Sequence, residues 1–339
     1  MGKVTIQDIA RELGFSRNTV SMALKGNEMV APKTREMILR YADKAGYPGI
    51  SLESRESVIL ENPVYHIMIL RKPDVAVYWD RVINGISEEA SRNHCQTQVA
   101  VVTDEAEQKL QFPPGLDDKI QAVFCVKMLN SNYIKKIRQQ GIQIYTLDNY
   151  KEGEEELLGD VVMAEGFQPV AQLTRHLLNQ GMKRIGFLSD SSSMYETMYN
   201  RFHGYLYAMA QAGADPDPSI TLPDVRSSNF YAPHTFEEIV DSYARLPEAI
   251  VCGNDEIARF LTQALRKKNI RVPEDIADTG FDDDEEGMLD PFFTTVNVDA
   301  KWLGRRMVQC FLSRSQYPDS PFEKIAVSGK VVIRKSSCR

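Results

Sequence analysis

The chain has 339 residues, too many for one average domain and suited to two or three. With 43% hydrophobic and 26% charged residues it has the composition of a globular protein, and no apolar run approaches the roughly 18 residues of a membrane span. The amino terminus has no apolar signal region, so we expect a cytoplasmic protein with no membrane partner. Five scattered cysteines lack metal or redox spacing, so we expect reduced thiols, no metal and no cofactor.

The net charge of −7 is unevenly distributed along the chain. Residues 1–47 contain eight Lys or Arg against five Asp or Glu, a balance of +3, so the remainder carries −10. A basic head on an acidic body can be oriented toward phosphate.

Three short helices are predicted in residues 1–47. Thr5 is a predicted N-cap with Asp8 three residues later, an acidic variant of the capping box. Gly14 ends this helix, and Ser16 caps the next one almost at once. A third helix starts near Pro32 and ends at Gly46. Two short helices joined by a glycine-containing turn are typical of a helix-turn-helix domain.

The second helix has two different faces at about 100° per residue. Val20, Ala23 and Leu24 point to one side, and the other side carries Arg17, Asn18, Ser21, Met22 and Lys25. Arg and Asn can pair with base edges, whereas Ser and Lys can hold phosphates. An ordinary amphipathic helix with a solvated face is the alternative. The capped starts and the glycine turn favour DNA binding.

The run VTIQDIARELGFSRNTVSMAL, from Val4 to Leu24, resembles the amino terminus of the lactose/galactose repressor (LacI/GalR) family, as does VAPKTRE from Val30 to Glu36. The resemblance implies that bases are read at Arg17, Asn18 and Met22. It implies helix caps or phosphate contacts at Thr5, Ser16, Thr19 and Ser21. Methionine departs from the family's usual arginine at the third reading position. It cannot donate to guanine but can touch a thymine methyl, so we expect a different operator.

Residues 48–63 are expected to form a linker between Pro48 and Pro63. The family has a hinge helix here that inserts a leucine into the minor groove, but Glu56 stands where that leucine is expected. Carboxylates beside phosphates are unfavourable. Either Leu52 supplies the wedge in a shifted register, or this protein bends its operator little. An ordinary flexible linker is the structural alternative for the segment.

The body is predicted to alternate strands with helices in two series, which indicates two doubly wound lobes with parallel sheets. The first series of predicted strands is 66–70, 97–102, 122–126, 142–147 and 160–164. The second series is 184–189, 249–253 and 277–281. Ligands of such sheets bind beyond the carboxyl ends of the strands, so a cleft between the lobes is the expected site.

Six motifs in family order extend the resemblance over nearly the whole chain: 181–187, 201–205, 254–258, 272–276, 280–283 and 291–296. The resemblance implies an effector-binding body similar to periplasmic sugar-binding proteins, with three crossings between lobes, placed near Ala164, Phe292 and Pro321. The expected division is a helix-turn-helix domain (1–47), a linker (48–63), a first lobe (64–164 plus 293–321) and a second lobe (165–292 plus 322–339).

Polar residues just beyond strand ends are implied by the resemblance to contact the effector: Asp148, Arg201, Asn254 and Asp282. Carboxylate, amide and guanidinium groups can each hold two adjacent hydroxyls, which suits a polyol. Tyr78 and Trp79 lie where family members place aromatic rings against the ligand. Each residue has a structural alternative: Asn254 and Asp255 can cap a helix, Asp282 can pair with a nearby base, and the two aromatic residues can be core.

The sequence therefore predicts a transcriptional regulator, expected to be a repressor, that binds an operator as a homodimer and responds to a small polar effector, expected to be a sugar. A nucleobase or another metabolite is an alternative effector. A solute-binding protein is one alternative, but the basic head would have no role in such a protein. An enzyme is the other rival, and the sequence contains no nucleophile elbow or phosphate loop. The sequence leaves four points open: the identity of the effector, whether it is an inducer or a corepressor, the operator sequence, and whether the protein is a dimer or a tetramer.

Overall fold

The structure is a computed structural model, and it describes residues 4–27, 29–49, 64–73, 77–127, 129–149, 157–190, 195–225 and 230–339. The chain divides into two compact units, Met1–Tyr65 and His66–Arg339. We call the first the head and the second the body.

The head contains three helices: α1 (Ile6–Leu13), α2 (Arg17–Leu24) and α3 (Pro32–Lys44). The Thr5 side chain accepts a hydrogen bond from the Asp8 amide, and the Asp8 carboxylate accepts one from the Thr5 amide, so the predicted capping box is formed. Gly14 adopts φ +70°, a left-handed conformation that suits glycine. The apolar faces of the helices meet in one core, which includes Ile9, Val20, Ala23, Leu24, Val30, Ile38, Leu39 and Ala42.

The first lobe is built on a six-stranded sheet with the order β11-β5-β4-β3-β1-β2. Its strands are β1 (Tyr65–Arg71), β2 (Cys95–Val101), β3 (Ala122–Cys125), β4 (Gln143–Leu147), β5 (Asp160–Ala164) and β11 (Lys324–Val327). Four of the pairings have a parallel register. The helices of this lobe are α4 (Val77–Arg92), α5 (Asp104–Gln108), α6 (Ser131–Arg138) and α11 (Ala300–Gln316). Strands β3 and β5 are buried throughout, as continuous apolar strands covered on both faces should be.

The second lobe is built on a four-stranded parallel sheet with the order β7-β6-β8-β9. Its strands are β6 (Ile185–Leu188), β7 (Thr221–Leu222), β8 (Ala249–Cys252) and β9 (Ala277–Thr279). Its helices are α7 (Phe167–Asn179), α8 (Glu196–Gln211), α9 (Pro233–Ser242) and α10 (Asp255–Lys267). A short antiparallel pair joins β10 (Thr295–Asn297) to β12 (Lys330–Val332), and a 3-10 turn follows at Lys335–Ser337.

Helices α4 and α11 of the first lobe pack closely because each has a glycine at the contact. A Cβ at Gly85 would lie 2.1 Å from the Lys301 carbonyl oxygen. A Cβ at Gly304 would lie 2.1 Å from the Val82 carbonyl oxygen. Any side chain at either position would push the two helices apart.

Two of the three predicted crossings lie later in the chain than the sequence indicated. Backbone bridges from Thr279 to Thr294 and from Asp282 to Asn297 hold the chain at the second sheet beyond the crossing predicted near Phe292. Strand β11 pairs with β5 of the first sheet, so the crossing predicted near Pro321 is also too early. The predicted lobe boundaries at 293 and 322 are corrected accordingly.

A buried ion pair explains why the chain stays with the first sheet after α11. Arg314 donates from Nε and Nη2 to the two carboxylate oxygens of Asp160, each at 2.7 Å. The same guanidinium donates to the carbonyl oxygens of Ser320 and Pro321. The Asp160 carboxylate also accepts from the Glu323 amide at 2.8 Å, which places the following β11 beside β5. Ion pairing is not visible in a local sequence pattern.

No helix within the described ranges is long and apolar enough to cross a membrane.

Candidate functional site

The outer surface of α2 is the first candidate site. Arg17, Asn18 and Lys25 are exposed on it, and Ser21 is half-buried. The inner side of the same helix buries Val20, Ala23 and Leu24, as the 100° periodicity predicted. The exposed side chains are therefore free of the core and can reach a ligand without disturbing the head.

Hydroxyl groups at the helix starts are occupied within the head. The Ser16 Oγ accepts from the Thr19 amide at 3.0 Å and lies 2.8 Å from the Thr19 Oγ1. The Thr5 Oγ1 donates to the Asp8 carboxylate at 2.6 Å. Thr5 and Ser16 are therefore helix caps in the structure, and Thr19 supports the Ser16 cap. Contact with phosphate stays a prediction for these three residues.

The Met22 side chain is less exposed than the helical periodicity predicted. It is half-buried and packs against the head core, near the end of α2 where the chain turns. The Asn27 amide makes this turn by donating to the Met22 carbonyl oxygen at 3.0 Å. Only part of the Met22 side chain can therefore contact a base.

The predicted wedge, Leu52, lies outside the described residues.

The second candidate site lies between the lobes of the body, where the strands end. Asp148 follows β4, Asn254 follows β8 and Asp282 follows β9. Asp148 has φ +75° and Asp282 has φ +105°, which are strained conformations for residues with a side chain. Strain of this kind persists only where the surrounding structure enforces it, and it is common at binding sites.

Arg201, on α8, is the centre of this site. Its side chain is 6% exposed, and its guanidinium carbon lies 3.6 Å from the centre of the Phe281 ring. Nη1 donates to the Gly253 carbonyl oxygen at 2.7 Å, and Nη2 donates to Asp282 Oδ1 at 3.4 Å. Arg201 therefore joins the ends of β8 and β9.

Asp148 connects the first lobe to the second. Its carboxylate accepts hydrogen bonds from the Asn149 amide at 2.7 Å, from the Thr197 amide at 3.2 Å and from the Thr197 hydroxyl. Thr197 lies in the first turn of α8, where the helix dipole favours an anion. Burial raises the pKa of Asp148 above its ordinary value despite these donors.

Asn254 caps α10, as the structural alternative held, and also faces another side chain. Its Oδ1 accepts from the Ile257 amide at 2.8 Å, and its Nδ2 donates to the Tyr231 hydroxyl at 3.3 Å. Asp255, expected as a cap, is instead the first residue of the helix. It is buried, and its carboxylate accepts from the Thr295 hydroxyl at 2.6 Å.

Tyr78 and Trp79 lie in the first turn of α4, both half-buried, with their rings edge to face at 4.9 Å. Burial raises the pKa of Tyr78, and the carboxylates of Asp282 and Asp148 raise it further, whereas Arg201 lowers it. Tyr78 is therefore close to these three charged groups and is a neutral phenol at physiological pH. The described contact of Trp79 at this site is with the ring of Tyr78.

Asp282 is a titratable group whose pKa is shifted by burial and by neighbouring charges. Burial raises its pKa to about 7, Arg201 opposes the shift, and Asp284 adds to it. The ion pair with Arg201 is long at 3.4 Å, so the carboxylate is only partly stabilised. A carboxylate with these properties can accept from a ligand hydroxyl at neutral pH.

Several residues of the site were not predicted from the sequence. Phe281 lies under Arg201, Thr197 holds Asp148, and Tyr231 faces Asn254. Arg81 of α4 crosses from the first lobe and donates to the carbonyl oxygens of Asp283 and Glu286, at 3.1 and 3.3 Å. Of these residues, only Phe281 could have been identified from the sequence, because it adjoins Asp282 in a predicted motif.

A surface groove of about 410 Å³ lies elsewhere, at the amino-terminal edge of the first sheet. Phe112, Ile120 and Ile142 contribute to its lining, and none of the predicted effector residues does. The interlobe cleft remains the better candidate site, because polar groups of both lobes converge there.

Comparisons with known proteins agree with this arrangement. The model of bacterial regulatory proteins of the lacI family matches residues 5–48, and that of the periplasmic binding protein-like domain matches residues 174–337. The HTH-type transcriptional repressor PurR of Pasteurella multocida (strain Pm70) is 24% identical, covering 98% of each chain.

Two solved structures have the same fold. A transcriptional regulator CelR–cellobiose complex has a TM-score of 0.68 at 19% identity, and the match covers 98% of this chain and 100% of that one. The lac repressor dimer bound to operator and the anti-inducer ONPF has a TM-score of 0.65 at 18% identity, with 100% of each chain covered.

A helix-turn-helix head on a two-lobed, periplasmic-binding-protein-like body defines a class of DNA-binding transcriptional regulators. Within that class, the chain belongs to the LacI family of bacterial regulatory proteins.

Proposed function

We propose that this regulator is a repressor whose affinity for its operator is controlled by a small polar effector, a sugar, bound between the two lobes. The observation that carries the proposal is the convergence of Tyr78, Asp148, Arg201 and Asp282 at the strand ends of both lobes. Asn254 adds an amide beside Tyr231 on the second-lobe side. This site lies in a chain that also carries a DNA-binding head.

The head is proposed to read DNA through α2. Arg17 and Asn18 are exposed and can pair with guanine and adenine edges, while Ser21 and Lys25 can contact phosphates. The exposed part of Met22 suits a thymine methyl. Thr5 and Ser16 cap helix N-termini that can face phosphates, and the hydroxyl of Thr19 can contact a phosphate beside the Ser16 cap. Leu52, in the proposed linker 48–63, is the candidate minor-groove wedge.

A homodimer is proposed because one three-helix head reads too few base pairs for specificity in a genome. Two heads related by a two-fold axis would read a two-fold symmetric operator. A solved structure of the same fold is described as a lac repressor dimer bound to operator, which supports the proposal.

A sugar suits the chemistry of the cleft. The Asp282 carboxylate and the Asn254 amide can each hold adjacent hydroxyls, and the face of a sugar ring can pack on Tyr78. A structure of the same fold is described as a cellobiose complex, which supports this class of ligand. Binding would bring Tyr78 and Asp282 toward one ligand and thereby fix the angle between the lobes.

A nucleobase is the second candidate effector. Tyr78, Trp79 and Tyr231 provide aromatic rings around the site. An amide and a carboxylate, as in Asn254 and Asp282, can pair with the edge of a purine. Equal-concentration titrations with sugars and nucleobases distinguish the two candidates.

Selection of random duplex DNA by the purified full-length protein tests the DNA-binding half of the proposal. We expect an enriched, two-fold symmetric sequence. Arg17→Ala and Asn18→Ala should each weaken binding by about 1–3 kcal/mol and relax the preference at one base pair. Lys109→Ala, an exposed position of the body, is the control. A sequence preference unchanged in both head variants would refute the assignment of α2.

A further inference from the structure

The segment that presents Asp282 to the cleft has an unfavourable backbone conformation. Asp282 and Asp283 are consecutive residues with positive φ, at +105° and +54°. Residues with a side chain rarely adopt such conformations, and two in succession require contacts that enforce them. The direction of the Asp282 side chain depends on both backbones. The contacts that enforce them therefore determine whether Asp282 faces Arg201.

The Asp283 carboxylate provides two of these contacts from a buried position. The side chain is 3% exposed, its Oδ1 accepts from Arg334 Nη1 at 2.6 Å, and its Oδ2 accepts from Asn297 Nδ2 at 2.8 Å. The amide of the preceding Asp282 donates to the Val296 carbonyl oxygen at 3.0 Å. The left-handed turn is therefore held both through a side chain and through the backbone.

The partners of Asp283 lie where the chain passes between the lobes. Asn297 is the last residue of β10, which leads into α11 of the first lobe. Arg334 follows β12, which the chain enters from β11 of the first sheet. These two strands are paired and closely packed, since a Cβ on Gly329 would lie 2.5 Å from Val296 Cγ1. Asp283 is therefore anchored at the ends of both strands that connect the lobes.

Asp283 also contacts the first lobe through its backbone. Its carbonyl oxygen accepts from Arg81 Nη1 of α4 at 3.1 Å and from the Glu286 amide at 3.0 Å. Arg334 Nη1 donates in addition to the Phe293 carbonyl oxygen at 3.1 Å, which ties the anchor to the second lobe. A movement of α4 relative to the second lobe therefore acts on Asp283, the residue next to Asp282.

We infer that Asp283 is the positioning residue of the effector site. Anchored by Arg334 and Asn297, it fixes the backbone that directs Asp282 into the cleft, and its carbonyl couples that backbone to Arg81 of the first lobe. This inference rests on the proposed effector site. With the anchor in place, the binding of an effector does not have to order Asp282. Without it, the segment samples other conformations and only a fraction of the molecules can bind.

Three variants of the full-length protein separate positioning from stability. Asp283→Gly removes the carboxylate, while glycine still adopts positive φ without strain. Arg334→Met leaves the Asp283 carboxylate buried and without its cation, so the midpoint of urea unfolding should fall. The double variant Asp283→Gly/Arg334→Met contains no unpaired charge, so most of that stability should return. The anchor is absent from all three variants.

Calorimetry measures the affinity of each variant for a panel of glucose, ribose, cellobiose, adenine and hypoxanthine. For a compound that binds the wild type, all three variants should lose about tenfold or more in affinity, because the competent fraction falls to about a tenth. Asp290→Gly and Lys335→Met are matched controls that break an exposed ion pair between the same two segments, and each should stay within about twofold. An affinity that returns with stability in the double variant, or equal losses in the controls, would overturn the inference.

The fluorescence of Trp79 provides a second readout that requires no ligand. The chain has two tryptophans, so Trp302→Phe, a change at an exposed position, leaves the one whose ring contacts Tyr78. In this background Asp283→Gly should increase the quenching of Trp79 by acrylamide, because Arg81 loses a fixed acceptor and the cleft opens beside α4. A change confined to the stability of the second lobe would not alter this quenching. Unchanged quenching would therefore overturn the inference.

Operator binding, measured on the same samples, separates this inference from the proposed function. If no compound of the panel binds the wild type, or if one binds without changing operator affinity, the proposed effector control is wrong and the quenching of Trp79 decides the inference. If a compound changes operator affinity and Asp283→Gly binds it as tightly as the wild type does, effector control stands and the inference is wrong.

Discussion

We predict that Arg81 stabilises the arrangement of the two lobes to which the effector binds. It lies one helical turn after Tyr78 on α4, and its two hydrogen bonds hold the backbone of the segment that presents Asp282. Its side chain is 23% exposed, so the bonds are partly shielded from water. The nearby Glu286 carboxylate, at 3.7 Å and 59% exposed, should add little.

The magnitude follows from those two contacts. Hydrogen bonds from a charged donor contribute about 1.5–3 kcal/mol each when well shielded. Partial exposure and distances of 3.1 and 3.3 Å reduce the sum to about 2 kcal/mol. Arg81→Met keeps most of the apolar stem and removes the donors. We therefore expect effector affinity to fall roughly 30-fold.

Calorimetric titration of the free sugar that binds the wild type measures this effect. The matched control is Arg92→Met on the same helix, whose side chain is 59% exposed and pairs with Glu89. Its affinity should stay within about twofold of the wild type. An Arg81→Met affinity as close to the wild type as the control's would refute this role of Arg81.

Three further predictions concern stability and pH. Arg314→Met should destabilise the body by about 3–5 kcal/mol in urea unfolding, because it leaves the buried Asp160 carboxylate unpaired. Thr5→Ala should destabilise the head by about 1 kcal/mol, measured as faster amide exchange of α1 in the full chain, because the α1 cap is lost. Asp278→Asn should stabilise the body at pH 8 by at least about 1 kcal/mol and have little effect near pH 4. Burial raises the folded pKa of Asp278 from 3.8 to about 7, so the wild type loses stability as pH rises between those values.

Controls for these predictions are available on the surface of the same chain. Arg271→Gln breaks an exposed ion pair and should change stability by less than about 1 kcal/mol. Thr103→Ala removes the cap of α5 in the first lobe and should leave exchange in the head unchanged. Asp241→Asn is the control for Asp278→Asn. Equal effects in a variant and its control would contradict the corresponding assignment.

The sequence predicted the regular elements well where a local pattern determined them. Strand β5 was predicted with its observed ends, because five apolar or shielded residues stand between polar turns. The caps at Thr5 and Ser16 also follow from residues within one turn. Local pattern failed for β10 and β12, which are three residues each and are formed by pairing with one another and, for β10, by a bridge from Asn297 to Asp282.

The candidate cleft was predicted in part, and the missing part depends on distant contacts. Asp148, Arg201, Asn254 and Asp282 were identified by motif, and the structure places them at strand ends or in the adjoining helix. Arg81 was missed because its partners lie more than 200 residues away, in a segment with no pattern of its own. The later crossings were missed for the same reason, since a buried ion pair places β11 beside β5.

Binding of the selected operator duplex, measured across a salt series with and without the sugar panel, tests the central claim most directly. We predict an affinity that falls steeply and linearly with salt on logarithmic axes, as phosphate neutralisation requires, and a change of at least about tenfold with one free sugar. An affinity that is insensitive to salt, or unchanged by every sugar and nucleobase tested, would contradict the account of an effector-controlled repressor.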